Sequence, residues 1–272
     1  MTELSGIRLA EAVISRLKEK TPPEKFLAIV VVGVDPVTDS FVRQKKKVAE
    51  ELDVDFRLYK FPDTSTQDEL RSEVGKISAH KSCGGVIVQL PLPPHINRHY
   101  VLNAIPREKD VDVLGERALG AFYAGRNKIL PPAVETVAAI IGNLKLQLDQ
   151  MSLAVIGAGL LVGRPIALWA SSQAKEIAIF HESSADINNK LKNYELIVSG
   201  TGSPHLFSAQ DCLPGTVVVD FGYGEKDGEL AGDFNPQGHS STPGVYTPTP
   251  GGTGPILVAK LFENFYRLND KH

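Results

Sequence analysis

The chain has 272 residues, enough for one large domain or two domains of ordinary size. Hydrophobic residues make up 42% of the chain, charged residues make up 22%, and the formal net charge is −3. This composition is typical of globular proteins and lacks the basic surface that nucleic-acid binding needs. No apolar run reaches the roughly 18 residues of a membrane span, and the N-terminus has no signal-peptide pattern. Cys83 and Cys212 lack metal-ligand spacing, so we predict no metal site and a reducing, cytoplasmic location.

The first half of the chain alternates predicted helices and strands. An amphipathic helix over 4–18 precedes the continuous apolar run 26–32, which is typical of a strand buried on both faces. The elements predicted next are a helix over about 39–52, a strand over 54–58, a helix ending near 78, and a strand over 85–89. This alternation predicts a parallel sheet with right-handed crossovers, and therefore a small α/β domain.

Three features of this half suggest chemistry. Phe41 and Lys45 are one helical turn apart, so a ring and an ammonium group share one face, although an ordinary amphipathic helix gives the same pattern. Gln89 ends the third strand, at the sheet edge where α/β proteins bind ligands, or it is a capping amide. Asp110 and Asp112 share one face of an extended segment, or they serve a turn.

The second half contains a candidate dinucleotide site. An apolar strand over 153–156 runs into a glycine turn and then a predicted helix. Gly157 permits a sharp turn, Gly159 lets a phosphate approach the backbone, and Gly163 lets the helix pack closely on the sheet. The first N–H groups of that helix would face a pyrophosphate. The spacing is G-x-G-x-x-x-G rather than G-x-G-x-x-G, and a tight turn without a ligand is the alternative.

Further strands complete a predicted Rossmann-like sheet, at 176–180, 195–199 and 216–220. Glu182 follows the first of them, about where an acid binds the ribose 2′-hydroxyl of adenosine. The strand at 195–199 is followed by three small residues that would lie beside the nucleotide, Gly200, Thr201 and Gly202. A proline- and glycine-rich loop and a last amphipathic helix, over about 256–268, end the chain.

The order of these features resembles the bifunctional methylenetetrahydrofolate dehydrogenase/cyclohydrolase family. The blocks that carry the resemblance are Phe41-x-x-x-Lys45, Val88-Gln-Leu-Pro-Leu-Pro93, Lys109-Asp-Val-Asp112, the glycine turn at 157–165, and Thr247-Pro-Thr-Pro-Gly-Gly-Thr-Gly-Pro255. They span nearly the whole chain in the family's order.

The resemblance implies two α/β domains that face each other across a cleft. Residues 1–130, joined by a C-terminal helix at 251–272, would form the folate-binding catalytic domain, and 131–250 the Rossmann-like NAD(P)-binding domain. The implied reaction oxidises 5,10-methylenetetrahydrofolate by hydride transfer to NAD or NADP. The methenyl product is then hydrolysed to 10-formyltetrahydrofolate in one-carbon metabolism. The family also implies a homodimer, with tetrahydrofolates as partners and neither nucleic acid nor membrane.

The resemblance also implies roles for individual residues. Lys45 matches the lysine that transfers protons, Gln89 the glutamine that orients it, and Asp112 the acid that binds the polar edge of the pterin. The other substrate-binding positions are Phe41, Pro250, Gly251 and Gly252. The implied cofactor-binding positions are Gly157, Ala158, Gly159, Gly163, Glu182, Gly200, Thr201 and Gly202.

The departures from the family pattern carry expectations of their own. Phe41 replaces a tyrosine, so a hydroxyl that could serve the cyclohydrolase step is absent. Val113 replaces a glycine, which predicts an altered turn. Ala158 stands where an arginine would meet the 2′-phosphate of NADP, and Glu182 adds a negative charge nearby. We therefore predict a preference for NAD over NADP.

Three alternatives remain open from the sequence. One is a dehydrogenase-only family member, in which Phe41 has weakened the cyclohydrolase. Another is a different two-domain dehydrogenase, of the shikimate or amino-acid type. The third is a non-catalytic sensor that binds dinucleotide without turnover.

Overall fold

A computed structural model describes residues 2–33, 36–237 and 244–270, without the side chains of residues 36 and 37. The chain folds into two compact units. The first unit comprises Ala12–Pro132 and Val258–His272, and the second comprises Met1–Glu11 and Ala133–Leu257. None of the helices in the described part of the chain is long and apolar enough to cross a membrane.

The first unit contains a three-stranded parallel sheet in the order β3-β2-β4. Its strands are β2 (Phe26–Val32), β3 (Phe56–Phe61) and β4 (Cys83–Val88). All seven residues of the central strand β2 are buried, which explains its unbroken apolar sequence. The helices that belong wholly or mostly to this unit are α1 (Gly6–Lys18), α2 (Pro36–Glu51), α3 (Gln67–Ala79), α4 (Arg98–Leu102), α5 (Glu116–Tyr123) and the C-terminal α9 (Thr253–Asn269).

The second unit contains a six-stranded parallel sheet in the order β1-β13-β9-β7-β5-β6. Its strands are β1 (Thr2–Glu3), β5 (Ser152–Ile156), β6 (Glu176–Phe180), β7 (Leu196–Ser199), β9 (Val217–Asp220) and β13 (Val245–Tyr246). Short pairs add β8 (Phe207–Ser208) beside β12 (Phe234–Asn235), and β10 (Gly224–Lys226) beside β11 (Glu229–Ala231). The associated helices are α6 (Pro132–Leu144), α7 (Gly163–Ala170) and α8 (Ile187–Lys190).

The extreme N-terminus lies in the second unit, which differs from the predicted domain limits. β1 pairs with β13, and the Leu4 N–H continues the ladder by donating to the Tyr246 carbonyl at 2.8 Å. The Gly6 N–H donates to the Gly251 carbonyl at 2.9 Å. Residues 2–11 and 251–257 belong to the second unit, whereas the sequence suggested the first for both.

The rest of the C-terminal helix packs on the first unit, as the resemblance implies. Asn264 Nδ2 donates to the carbonyls of Val111 at 3.2 Å and Leu130 at 2.8 Å, and the Tyr266 hydroxyl donates to the Leu52 carbonyl at 3.3 Å. Because Asn264 and Tyr266 are almost fully buried, these bonds satisfy groups that have no access to water. The predicted two-domain α/β fold with parallel sheets is confirmed.

Candidate active site

A buried lysine and a strand-end glutamine meet in the first unit. Lys45 lies on α2 with only 7% of its surface exposed, and its Nζ donates to Gln89 Oε1 at 2.8 Å. Gln89 directly follows β4, where its N–H donates to the Val30 carbonyl at 2.8 Å and so extends the sheet pairing. Its Nε2 donates to the Leu90 carbonyl at 2.9 Å. Because the amide nitrogen is engaged with the backbone, the amide oxygen faces the lysine.

Asp112 adds a negative charge to this pair. Burial lowers the pKa of Lys45, and the nearby Asp112 carboxylate opposes that shift only in part. Burial likewise raises the pKa of Asp112, with Lys45 acting in the opposite direction. The structure therefore brings together Lys45, Gln89 and Asp112, which the sequence singled out from three separate segments. Lys45 releases its proton more readily here than in water, as a proton-transfer group must.

Asp110, next to this group, fixes the turn that presents Asp112. It is 1% exposed, and its Oδ2 accepts the N–H groups of Leu114 at 3.0 Å and Gly115 at 2.7 Å. Its backbone forms a bridge with Val86 of β4, and burial raises its pKa to about 6. The sequence named Asp110 as a possible turn residue, and its side chain serves that purpose.

Val113, inside the same turn, has a φ of +58° and is fully buried. This left-handed conformation is uncommon for a β-branched residue and costs ~1–3 kcal/mol. Val113, which stands where the family resemblance implies a glycine, therefore has a strained backbone conformation. Phe41, on α2 one turn before Lys45, is half-buried.

The predicted dinucleotide turn joins β5 to α7 in the second unit. Gly157 has a φ of +94°, and its N–H donates to the Phe180 carbonyl at 2.7 Å. A Cβ on Gly163, the first residue of α7, would lie 1.7 Å from the Gly157 carbonyl oxygen, so only glycine fits there. A Cβ on Gly159 would have no atom of the other described residues within 4 Å, apart from its two chain neighbours. The turn is thus tightly packed at both ends and open in the middle, which fits the approach of a phosphate.

The carboxyl end of β6 carries Glu182 in a compact turn. The Ser184 N–H donates to the His181 carbonyl at 2.8 Å, and the His181 N–H donates to Ser184 Oγ at 3.1 Å. Glu182 lies inside this turn and is exposed, and Ala158, in the glycine turn, is half-buried. An exposed carboxylate at this edge can accept a hydrogen bond from a ribose hydroxyl.

The exit of β7 lies against the glycine turn. The Gly200 N–H donates to the Ile156 carbonyl at 3.0 Å, and a Cβ on Gly157 would lie 3.0 Å from the Gly200 carbonyl oxygen. Thr201 and Gly202 follow and are exposed. The predicted cofactor positions of β5 and β7 are therefore brought together at one edge of the sheet.

The predicted substrate positions Pro250, Gly251 and Gly252 lie between β13 and α9, in the second unit. The bond from the Gly6 N–H to the Gly251 carbonyl holds this turn. Thr249 Oγ1 donates to the Gly222 carbonyl at 3.1 Å. These three positions therefore belong to the second unit, whereas Phe41 and Lys45 belong to the first.

Sequence reasoning missed two buried acids in the second unit. Asp220 ends β9, accepts the N–H groups of Gly222 at 2.6 Å and Phe234 at 2.8 Å, and has its pKa raised by burial to about 7. Asp233 precedes β12 and is fully buried. The position of Asp220 directly after an apolar run was a usable signal, as it was for Gln89, whereas Asp233 lies in no such pattern.

The part of the chain that the structure describes has no candidate metal site. No group of three or more histidine, cysteine, aspartate or glutamate side chains there could hold a metal ion. Cys83 and Cys212 are free and buried, and burial raises the pKa of both thiols.

Comparison with known proteins decides the family. Residues 4–112 match the catalytic domain of tetrahydrofolate dehydrogenase/cyclohydrolase, and residues 131–272 match the NAD(P)-binding domain of the same enzymes. The chain belongs to the tetrahydrofolate dehydrogenase/cyclohydrolase family. It is 30% identical over 258 residues to the bifunctional protein FolD of Exiguobacterium sibiricum, covering 95% of this chain and 92% of that protein.

Further relatives agree with this membership. The bifunctional protein FolD of Staphylococcus carnosus is 31% identical over 252 residues, which cover 92% of this chain and 88% of that protein. The crystal structure of the bifunctional enzyme FolD from Campylobacter jejuni superposes with a TM-score of 0.93 at 29% identity, covering 99% of this chain and 98% of that one. Similarity of this kind runs through both units.

Membership of the tetrahydrofolate dehydrogenase/cyclohydrolase family confirms the predicted enzyme class. The protein converts 5,10-methylenetetrahydrofolate to 10-formyltetrahydrofolate through a dehydrogenase and a cyclohydrolase step in one-carbon metabolism, and uses NAD or NADP. The sensor and the other dehydrogenase classes are not favoured, nor is a dehydrogenase-only enzyme.

Proposed function

We propose that Lys45, Gln89 and Asp112 form the catalytic group of this enzyme and that NAD is its preferred hydride acceptor. The assignment of the catalytic group rests on the 2.8 Å hydrogen bond from the buried Lys45 ammonium to Gln89 Oε1. A lysine can act as an acid and a base near neutral pH only if its pKa is lowered, and burial lowers it here.

In the hydrolysis step, Lys45 first accepts a proton from water and then donates it to the substrate. A water molecule adds to the amidinium carbon of the methenyl compound, and neutral Lys45 Nζ accepts one proton from it. The resulting ammonium donates that proton to N5 as the bond between the carbon and N5 breaks, and the second water proton leaves to solvent. The oxygen of Gln89 holds Nζ in one orientation throughout. Each transfer of this kind contributes roughly 10²–10⁴-fold to the rate.

Asp112 orients the substrate for both steps. A carboxylate accepts two parallel N–H bonds, which the amino-pyrimidine edge of a pterin supplies. Burial raises the pKa of Asp112, and the charged form of Lys45 acts in the opposite direction. In the oxidation step, bound NAD supplies the hydride acceptor, and the contribution of the protein is positioning.

A matched pair of variants tests the role of Lys45. Lys45→Met keeps the length of the side chain but removes the proton, and we expect cyclohydrolase activity to fall at least about 100-fold. Lys46→Met is the control, because Lys46 is the next residue along α2 and is 61% exposed. Equal losses in both variants, or full hydrolysis by Lys45→Met, would contradict the assignment.

Residues at the glycine turn and after β6 support the preference for NAD. Gly157, Gly159 and the first turn of α7 would hold the pyrophosphate, and Glu182 would accept a hydrogen bond from the free 2′-hydroxyl. No cation stands at Ala158 to pair with a 2′-phosphate, and the Glu182 carboxylate would repel it. Losing a cation and gaining an anion both disfavour NADP.

A double variant tests this cofactor assignment. Ala158→Arg combined with Glu182→Ser should shift the ratio of kcat/KM for NADP over NAD upwards by at least about tenfold, which corresponds to ~1.4 kcal/mol. Glu176→Ser, at the opposite end of β6, removes an equivalent exposed charge and serves as the control. An unchanged ratio in the double variant would refute the assignment.

The quaternary state proposed for this enzyme is a homodimer. The edge strand β6 of the six-stranded sheet, where Ile179 is 50% exposed, supports a partner on this side. Light scattering should give twice the mass of the chain at micromolar concentration. The mass of a single chain would contradict the proposal.

The proposed location is the cytoplasm. Two free, buried cysteines are compatible with a reducing compartment. Cell fractionation should recover the protein with cytoplasmic markers, and recovery with a secreted or organellar fraction would contradict this location.

A further inference from the structure

Asp233 binds an exposed loop at the proposed cofactor site. Its Oδ2 accepts the Ser199 hydroxyl at 2.6 Å and the Thr201 N–H at 2.7 Å, and its Oδ1 accepts the Ser203 N–H at 2.8 Å. Both carboxylate oxygens are therefore used. The bonds join the last residue of β7 to the loop that follows it.

The backbone of Asp233 is itself held in place. The Phe207 N–H donates to its carbonyl at 3.3 Å, and the His205 N–H donates to the Gly232 carbonyl at 2.9 Å. A Cβ on Gly222 would lie 2.4 Å from Asp233 Oδ1, so the strand exit after β9 leaves room for the carboxylate only because residue 222 is a glycine. The side chain is thus rigid, and the loop takes its shape from it.

Burial makes these bonds strong and specific. Asp233 has no exposed surface, and a buried carboxylate without hydrogen-bond donors is very unfavourable. The loop supplies two backbone N–H groups, and such charge-assisted bonds are about twice as strong as neutral ones. Thr201, Gly202 and Ser203 are exposed, and short exposed loops are normally mobile. Within the loop, the Ser203 N–H also donates to Thr201 Oγ1 at 3.1 Å, and the carboxylate adds the bonds that tie the loop to the rest of the second unit.

We infer that Asp233 is a positioning residue for the dinucleotide. The loop that it holds begins at Gly200, whose carbonyl lies against the Gly157 turn, where the pyrophosphate is proposed to bind. A fixed loop keeps the residues that follow β5 and β7 in constant positions relative to each other. The cofactor then binds a preformed surface, and less conformational entropy is lost on binding. This inference rests on the proposed cofactor site.

Steady-state kinetics of Asp233→Asn test the inference. An asparagine keeps one acceptor but sets an NH₂ group against a loop N–H, so at least one loop bond is lost. We expect the KM for NAD to rise about tenfold, while the KM for 5,10-methylenetetrahydrofolate and kcat at saturating NAD change less than about twofold.

Two control variants separate positioning from general destabilisation. Ser199→Ala removes the strand hydroxyl from the same carboxylate but leaves both loop N–H bonds. Thr216→Val removes the buried bond to the Tyr194 carbonyl, 3.1 Å long, elsewhere in the sheet. Both should keep the KM for NAD within about twofold of the parent value. A parent-like KM in Asp233→Asn, or an equal rise in all three variants, would overturn the inference.

Amide hydrogen exchange of the unaltered protein gives a readout that needs no variant. The Thr201 amide should exchange slowly although its residue is exposed, because Asp233 accepts it. The Ser203 amide is less diagnostic, because Thr201 Oγ1 also accepts it at 3.1 Å. Exchange as fast as that of unbonded surface amides would overturn the inference. If the unaltered protein turned over with neither NAD nor NADP, the cofactor site and the inference would both fail. Normal turnover with an unchanged KM in Asp233→Asn would refute the inference alone.

Discussion

Lys45 donates its hydrogen bond to the amide oxygen of Gln89, which carries no net charge. A neutral acceptor orients the ammonium without stabilising its charge as strongly as a carboxylate would. The Asp112 carboxylate, which is half-buried, opposes the lowering of the Lys45 pKa only in part. The same side chain can therefore accept and donate a proton within one catalytic cycle.

The phenyl ring of Phe41 lies one turn before this lysine on α2. Phe41→Tyr adds a hydroxyl that can hydrogen-bond within the site, and one such bond is worth about 0.5–1.5 kcal/mol. We expect the rate of methenyl hydrolysis to rise about 2–10-fold, with a smaller change in oxidation. The two activities are measured separately, with Phe61→Tyr at the end of β3 as the control. Unchanged hydrolysis in Phe41→Tyr would show that the missing hydroxyl has no part in this step.

Asp110 gives the stability of the protein a specific pH dependence. Burial raises its pKa from 3.8 to about 6, so the folded state binds this proton more tightly than the unfolded state does. The stabilisation is complete below pH 3.8 and is lost as the pH rises through about 6, a change of ~3 kcal/mol. Asp110→Asn cannot titrate, so the variant should lack this contribution.

Urea unfolding of Asp110→Asn and of the parent, at several pH values between 4 and 7, measures this contribution. Relative to the parent, the variant should gain ~2 kcal/mol in free energy of unfolding over that range, because part of the full change lies below pH 4. Asp68→Asn, at the exposed start of α3, is the control. Parallel stability curves for Asp110→Asn and the parent would contradict the assigned pKa.

At the scale of elements, the turn between β5 and α7 contains one glycine that packing requires and one that packing does not require. Gly163 is required by the protein itself, because a Cβ there would collide with the Gly157 carbonyl. Gly159 is not required in this way, since only its two chain neighbours, among the described residues, lie within 4 Å of the position of its Cβ. The open position beside Gly159 therefore leaves room for a ligand to approach the backbone at this turn.

Gly159→Ala tests this explanation. The folded state has room for the methyl group, so the melting temperature should stay within a few degrees of the parent or rise slightly. The KM for NAD should increase at least about fivefold, because the methyl group occupies the approach to the phosphate. Gly142→Ala is the control, as it also adds a methyl group in open space, on α6. An unchanged KM in Gly159→Ala would remove the pyrophosphate from this turn.

The sequence predicts long apolar strands far better than short ones. β2 has the predicted limits, and β5 differs from the prediction by one residue. The two-residue strands β1 and β13 are too short to show any alternation, which is why the N-terminus was expected in the first unit. The hairpin of β10 and β11, whose strands have three residues each, is likewise absent from the predicted elements.

Some residues of the candidate site could be predicted from the sequence, and others could not. Lys45, Gln89 and Asp112 were found because they lie in segments that the family resemblance marks, and Gln89 also follows an apolar strand. Asp233 was missed because its partners are the N–H groups of Thr201 and Ser203 and the Ser199 hydroxyl, about 30 residues away, and backbone groups leave no trace in a sequence. A hydrogen bond from a distant main chain is visible only in the fold.

At the scale of the whole molecule, similarity to the family extends through both units, while the identity to the relatives is only about 30%. The departures that matter for chemistry are few and local. We propose that Phe41 and Val113 affect the folate side, and that Ala158 and Glu182 affect the choice of cofactor. The same reaction is therefore expected with a changed balance between its two steps and a changed acceptor.

The most direct measurement is an initial-rate assay with 5,10-methylenetetrahydrofolate, run in parallel with NAD and with NADP. It follows the reduced cofactor, the methenyl compound and 10-formyltetrahydrofolate together. We predict turnover with NAD, at least about tenfold less kcat/KM with NADP, and 10-formyltetrahydrofolate as the final product. Turnover with NADP alone would contradict the roles given to Ala158 and Glu182. Accumulation of the methenyl compound without hydrolysis would contradict the role given to Lys45.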